Sequence, residues 1–592
     1  MSPRLAVTTT ALIAILVGPS AIAGPIHDAV AAGNLAQIEK ILRANPETLN
    51  AKGQNGYRPL HIAIQTGQQP AFELLMKHKP DVNAPDNYGY RPLHWCPYHR
   101  RHEMAKALLA AGAKVDVQDR SGRSALHWAG QHGRVEAAKL LLDHKANPNL
   151  KDRGPFTPLH LAIFNRRAAT VKVLLAHGVD LRVRDAQERT YLHCAFEHYH
   201  QETIKLLLTT EIDVNSVDSQ GRTVLHLVCR SDQWRDLLPL VLAKEPKVEV
   251  KTKQGLTPLH YAAMRGGKGL IEFLLKQGAK ITTKSGDGRT CLHMAAASDR
   301  AHKDLMELLL SKGLDANGAD KTGRRPLHYA VPVGREGVIE PLLVAGADVD
   351  AVGAQGEAPL LMAASQRRDD IVALLLRYKA SVNRKNKQGQ AALHIAARNG
   401  DAAIIKRLLT AKADPNIKDP QGQTPLSLAV SHNHRPLVDL LLPVSKDVDV
   451  RTPEGEPVLY WAATHGLSKA VAALIQRKVN VNATSRDGDS ALHAAAWNGH
   501  APVVSALIDS GAKVNAEDRT GRTALDGAAW RGRVEIVKLL LEANAAANRP
   551  GYTPLHAASW QGHAPVAKVL LAAGANPNSR DADGSNRSRG GQ

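Results

Sequence analysis

The sequence predicts an all-α repeat solenoid, elongated, in which one small helical unit is copied along the chain. Two observations carry this. A leucine followed by histidine returns almost every 33 residues from Leu60-His61 to Leu555-His556, the landmark leucines being Leu60, Leu93, Leu126, Leu159, Leu192, Leu225, Leu259, Leu292, Leu327, Leu360, Leu393, Leu426, Leu459, Leu492, Leu525 and Leu555. Fourteen of these sixteen leucines have glycine four residues earlier, with Pro155 and Glu188 as the exceptions. A unit this short cannot bury its apolar face alone and gains a core only by stacking on its neighbours. Hydrophobic content of 44% suffices for a continuous core, and 4% aromatic content fits helix contacts filled by alanine and leucine. Length alone would suggest about four domains; the unbroken period overrides that and predicts one array.

Taken in chain order, residues 1–23 read as a secretory signal peptide. Arg4 precedes an apolar stretch from Ala11 to Val17, then Gly18-Pro19, then Ala21-Ile22-Ala23 as an A-x-A cleavage site. Residues 25–50 read as a degenerate copy that lacks its turn and caps the array, which runs over 25–578. Within one repeat, 119–149, Ser124 is a natural helix N-cap after the tight turn at Gly122. A short helix is expected over about 125–132, ended by Gly133, and a second from about Val135 to Asp143. Many copies then close with Gly-Ala at Gly112, Gly278, Gly346, Gly511 and Gly574, where a left-handed C-cap is expected. Ser579–Gln592 has no apolar period and reads as a disordered tail. No later stretch is long enough to span a bilayer. The mature chain is therefore expected to be exported, periplasmic or secreted, and monomeric.

Cys96, Cys194, Cys229 and Cys291 fall at four different offsets in four repeats. Bridging needs Cα atoms within about 7 Å, which packed neighbouring helices at about 8–10 Å rarely offer, so no structural disulfide is expected. The formal charge of +20 is spread along the chain, with the largest local excess in residues 101–200, which carry 16 basic and 10 acidic residues. It suits a solvated surface as readily as an anionic partner.

The repeat resembles the ankyrin repeat over about residues 25–578. Thr257-Pro258-Leu259-His260, Thr424-Pro425-Leu426 and Thr553-Pro554-Leu555-His556 match its T-P-L-H signature. Ala262-Ala263, Ala396-Ala397 and Ala528-Ala529 match its small-residue helix contact, and Asp81-Val82-Asn83 and Asp414-Pro415-Asn416 its exit to the next turn. The resemblance implies helix–turn–helix repeats with β-hairpin-like fingers, in a curved stack whose concave face binds other proteins. Departures mark irregular places: the interval is 34 before Leu259, 35 before Leu327 and 30 before Leu555. Pro97 and Pro332 fall where helix interior is expected and should shorten or kink those first helices.

Twelve landmark leucines are followed by histidine. Successive imidazoles stand a repeat apart, about 10 Å, whereas zinc needs its ligands at about 2.0–2.1 Å. They read as hydrogen-bond partners of turn backbone, and no metal or cofactor is expected. No nucleophile elbow, phosphate loop or zinc-spaced cysteine pair is present, and signal, repeats and tail use the whole chain, so no enzyme is expected.

Tryptophan placement is the sharper signal. Trp95, Trp128 and Trp461 lie two residues after a landmark leucine, and Trp497, Trp530 and Trp560 lie five after. Offsets three apart share a helix face. Tyr98 and Phe164 join at the fifth position, Tyr261 and Tyr329 at the second. The resemblance places the fifth position, and the turn residue three before each leucine, on the contact surface; that turn residue is Arg123, Arg189, Arg222, Arg289, Arg324 or Arg522 in six repeats. Tryptophan, tyrosine and arginine dominate interface energetics. The second-position aromatics have an alternative role as fillers between helices, since Leu161, Leu227 and Leu428 take that place elsewhere. The expected function is a non-enzymatic scaffold holding protein partners, with Trp497, Trp530 and Trp560 as an aromatic patch. The alternatives are a binder of polyanions, nucleic acid or acidic envelope polymer, through arginine-rich fingers, and a host-directed effector or inhibitor.

Overall fold

The computed structural model describes residues 24–579 apart from 354, 355, 453 and 552. The segment read as a signal peptide and residues 580–592 of the tail lie outside the described residues. Every regular element among the described residues is helical. Backbone β pairing there is confined to three isolated bridges, Lys385 with Ala391, Arg451 with Pro457 and Thr484 with Ser490. The fingers are hairpin-like turns, each closed by a backbone bond such as that from the Asp119 N–H to the Arg123 carbonyl at 2.9 Å, and they do not extend into strand ladders.

The repeat at 119–149 shows how the unit forms. The inner helix Ala125–His132 starts after Ser124 in extended conformation and stops at Gly133, whose φ of 67° is a left-handed cap. Its first six residues are all buried, so the helix is enclosed on every side. The outer helix Val135–Asp143 buries only Ala137, Ala138, Leu141 and Leu142 and leaves its other face to water, the pattern of a half-buried amphipathic helix. The closing glycines take the left-handed φ expected of them, from 80° at Gly346 to 88° at Gly278, and Lys145 holds the same place with φ 62°. Inner helices pack on inner helices, as Ala125–His132 on Pro158–Phe164, and outer on outer, as Val135–Asp143 on Ala168–Leu175.

The chain divides into two compact units, Met1–Gly286 and Asp287–Gln592. In the first, the helices Pro25–Ala31 and Leu35–Ala44 form an N-terminal pair that packs on Pro59–Thr66 and Gln69–Lys77. One outer helix is broken: after Val224–Cys229 the chain takes a 3-10 turn, Asp232–Leu237, and a five-residue helix, Leu238–Leu242. This is where the interval stretches before Leu259. Trp234, the tryptophan outside the two-and-five pattern, plugs the gap, buried edge-on against Phe196 at 5.2 Å and stacked on Tyr199 at 5.5 Å.

The second unit repeats the order from Cys291–Ala296 to Ala564–Ala572. Its long interval before Leu327 is taken up by residues 297–302, between the inner helix and the outer helix Lys303–Ser311. The prolines do not shorten their helices. Pro92–His99 and Pro326–Val333 each span eight residues, as many as Ala125–His132. Pro97 and Pro332 fall in the final turn, where the missing N–H costs one helix bond and little helix remains to be disturbed. All four cysteines are buried and none is joined to another by a disulfide; burial pushes the Cys96 thiol up.

Candidate protein-binding surface

In the repeat at 119–149 the finger is built by two residues, Asp119 and His127. Asp119 Oδ1 accepts the N–H groups of Ser121 at 2.7 Å and Arg123 at 3.0 Å, closing the turn. His127 Nδ1 accepts the N–H of Ser124 at 3.0 Å, and its Nε2–H donates to the carbonyl of Phe156 in the next finger at 3.2 Å. The same stitch joins His61 to Tyr90, His193 to Arg222, His394 to Gln423 and His493 to Arg522. The histidine row is therefore backbone clamp. Burial lowers the pKa of His61 to about 3 and of His127 to about 4, and it shifts His193 and His394 the same way. His160 Nε2 is buried without a partner, and burial takes its pKa to about 3.

The tryptophans at the second position belong to the packing. Trp95, Trp128 and Trp461 are 8%, 5% and 5% exposed, which removes them from the contact surface expected from sequence. Each indole fills the seam between adjacent inner helices. Trp128 Nε1 donates to Asp119 Oδ2 at 3.1 Å, and its ring stacks on His132 at 5.7 Å. Trp95 stacks on His99 at 5.3 Å, and Trp461 leans on His465 at 4.7 Å. Tyr57 and Tyr90, which the sequence pattern did not single out, join this cluster edge-on: Tyr57 to Trp95 at 5.1 Å, Tyr90 to Trp128 at 5.6 Å. They occupy the turn position that is arginine in six other repeats, and that substitution was the available signal.

The turn arginines are largely paired. Arg189 and Arg222 hold Asp185 and Asp218 at 2.6 Å, and both reach Glu197, which bridges two fingers. Arg324 pairs with Glu357 at 2.9 Å, Arg289 with Asp287 at 2.6 Å, and Arg123 lies 3.5 Å from Asp152 and 5.6 Å from the Trp128 ring. Arg522 is exposed, and no ion pair holds its guanidinium among the described residues. The fifth-position tryptophans differ from their buried counterparts. Trp560 is 54% exposed, and Trp497 and Trp530 are half-buried. The Arg531 guanidinium sits 4.6 Å over the Trp497 ring.

A buried ion pair escaped sequence reasoning. Asp526 replaces the landmark histidine after Leu525. Its Oδ2 accepts both the N–H and the hydroxyl of Thr523 at 2.8 Å and pairs with Arg549. The break in the Leu-His pattern and the shortened interval before Leu555 both point to this place.

The family model described as ankyrin repeats (3 copies) matches in overlapping stretches that together run from 26 to 581. Neurogenic locus Notch protein of Drosophila melanogaster is 40% identical over 109 residues, 16% of this chain and 4% of that protein. Alpha-latrotoxin-Lt1a of Latrodectus tredecimguttatus is 35% identical over 100 residues, 17% of this chain and 7% of that protein. The chain thus spans only a small part of the length of these relatives. Among solved structures, the ankyrin repeat domain of Bcl-3 aligns with a TM-score of 0.32 at 27% identity, over 37% of this chain and 99% of that one.

Proposed function

This chain belongs to the ankyrin-repeat family, whose modules are protein–protein interaction scaffolds, and from that we propose a non-catalytic protein that holds its partners on the surface of inner helices and fingers, in an exported compartment. The observation that carries this reading is the shift of tryptophan from the buried second position to the more exposed fifth in the last three repeats. An indole left partly in water on a rigid helix is a low-entropy anchor for a partner. Export rests on the order Arg4, Ala11 to Val17, Ala21-Ile22-Ala23.

The test is a pull-down with residues 24–592 at moderate salt, read by mass spectrometry and repeated with Trp497, Trp530 and Trp560 replaced by alanine. The proposal expects partners to be lost while the unfolding curve is nearly unchanged. Retained partners, or loss of fold, would remove the patch from the reading. The polyanion alternative is weaker because Arg189, Arg222, Arg289 and Arg324 already serve carboxylates of their own chain. It would return if binding collapsed between about 50 and 200 mM salt whatever the partner.

A further inference from the structure

In most repeats the second position is bulky and closes the seam behind the finger. Trp128 caps Asp119 Oδ2 in this way, and Tyr329 does the same for Asp320 Oδ2 at 2.6 Å. In the last three repeats that position is Ala494, Gly527 and Ala557. The side chain that would cap Asp518 is missing, because Gly527 takes its place. Asp518 Oδ1 is used, accepting Thr520 N–H at 2.7 Å and Arg522 N–H at 2.9 Å. Among the described residues no side chain donates to its Oδ2. Trp497 moves over part of the vacated space: a Cβ on Gly527 would meet its Cε3 at 3.3 Å. What remains is a cavity of about 260 Å³ lined by Tyr460, Asp489, Trp497, Asp518, Arg522 and Gly527 among others. That is room for several waters or one long side chain.

The lining is electronegative in a chain whose net charge is +20. Asp489 and Asp518 face Arg522 alone among the lining groups that carry full charge, and His493 uses its Nε2 on the Arg522 carbonyl at 3.1 Å. Burial and then the carboxylates of Asp489, Glu456 and Asp487 push the Tyr460 hydroxyl up to about 12. Asp489 is itself raised, by burial first and with Asp518 and Asp487 adding to it against His493 and Arg522, whereas Asp518, against its own burial, is lowered by the N–H and hydroxyl groups it accepts. Two mutually repelling carboxylates between aromatic walls have one fitting occupant. A guanidinium or ammonium relieves the repulsion, gains charge-assisted hydrogen bonds, and lies against aromatic faces. Arg531, stacked on Trp497, is an example of that last contact within the chain.

We propose that the cavity between Trp497, Tyr460, Asp489 and Asp518 is a receptor for one arginine or lysine side chain presented by a partner protein. This rests on the reading of the chain as a protein-binding scaffold and gives that surface a chemical preference. It also explains the change of composition: removing the second-position side chain opens the site, and the fifth-position tryptophan supplies its wall.

The experiment uses the chain labelled with 5-fluorotryptophan, in which the Trp497 signal is assigned through Trp497→Phe. The probes are the acetyl amides of arginine, lysine, norleucine and glutamate. Arginine and lysine amides should move the Trp497 signal saturably, and norleucine and glutamate amides should not. Asp489→Asn with Asp518→Asn should weaken the basic probes about tenfold, with the other six tryptophan signals in place as a check on the fold. Gly527→Leu, which restores a residue used at Leu161, Leu227 and Leu428, should abolish the response. Equal movement with norleucine or glutamate, or undiminished binding by the double asparagine variant, would overturn the proposal. Tighter binding by a chain ending at Ser579 would name the arginines of residues 580–592 as the occupant and overturn the partner assignment. If the basic probes fail while the triple tryptophan variant still loses its partners, the scaffold reading stands and the receptor falls.

Discussion

The two units follow one architectural rule and fill it differently. In the first, each landmark leucine from Leu60 to Leu259 is followed by histidine, and the second position is Ile62, Trp95, Trp128, Leu161, Cys194, Leu227 or Tyr261. In the second, histidine gives way to Leu361, Ser427, Tyr460 and Asp526, and the second position shrinks to Ala494, Gly527 and Ala557 near the end. The frame needs only two things from each repeat: something to clamp the following finger, and enough volume in the seam. The first unit meets both with imidazole and large side chains. The second meets them with substitutes, a Thr523–Asp526–Arg549 network for the clamp and Trp497 over Gly527 for the volume. Volume that arrives from the fifth position arrives near the surface, and it fills the seam beside Gly527 only in part, leaving the cavity there.

Acid separates the two units most strongly. A histidine held neutral by burial has a folded pKa below its unfolded value of 6.5, to about 3 at His61 and His160 and about 4 at His127 and His226. Between those values the unfolded chain binds the proton and the folded chain does not. The stability these groups contribute is therefore complete above pH 6.5 and is lost as pH falls toward 3 to 4. Each costs about 1.4 kcal/mol per pH unit in that window, and all four lie in the first unit. His293, His328 and His394 are lowered in the second by the same cause, but fewer repeats there carry the clamp. Hydrogen exchange corrected for intrinsic rate, followed from pH 7 to pH 4.5, should open the first unit before the second. The reverse order would refute the histidine clamp as the main difference.

The tryptophans come next. Trp128→Ala empties a buried seam, strands the Asp119 carboxylate and should cost about 3–5 kcal/mol. Trp497→Ala removes a half-buried ring and should cost less than half of that. Urea midpoints of the two variants decide it, and equal losses would make both residues ordinary core. A finer version changes the carboxylates alone. Asp119→Asn turns an amide toward the Trp128 N–H, donor against donor, whereas Asp518→Asn faces the cavity. The first should cost about 1–2 kcal/mol more than the second.

Much of this was legible in the sequence, for physical reasons. The inner and outer helices at Ala125–His132 and Val135–Asp143 follow from an N-capping serine, a left-handed glycine and leucines at helical spacing, all local signals. The histidines were legible as backbone partners because one per repeat cannot meet at a metal. Other features depend on partners far apart in sequence. The pairing of Arg189 and Arg222 through Glu197 joins neighbouring repeats, and a spacing argument assigns arginine to the surface without knowing that a carboxylate awaits it. The burial of Trp95, Trp128 and Trp461 likewise depends on what the next inner helix offers. The cavity beside Gly527 was invisible because it consists of an absent side chain, which shows in sequence only when the second and fifth positions are read together across neighbouring repeats.

The smallest expected effect tests the rule where the first unit itself departs from it. Glu188 stands where fourteen other repeats have glycine, and it has the conformation the turn demands, with φ 58°. A side chain in this left-handed region costs about 1 kcal/mol relative to glycine. The Glu188 carbonyl accepts the Arg184 guanidinium at 3.1 Å, and glycine keeps that carbonyl. Glu188→Gly should therefore stabilise the first unit by a few tenths to about 1 kcal/mol, the gain being reduced by the greater freedom of glycine in the unfolded chain. A rise in the urea midpoint checks it. A fall would mean that the Glu188 carboxylate contributes more than its backbone strain costs, and the finger would then be set by side-chain charge, not by the left-handed turn that the fourteen glycine-bearing repeats share.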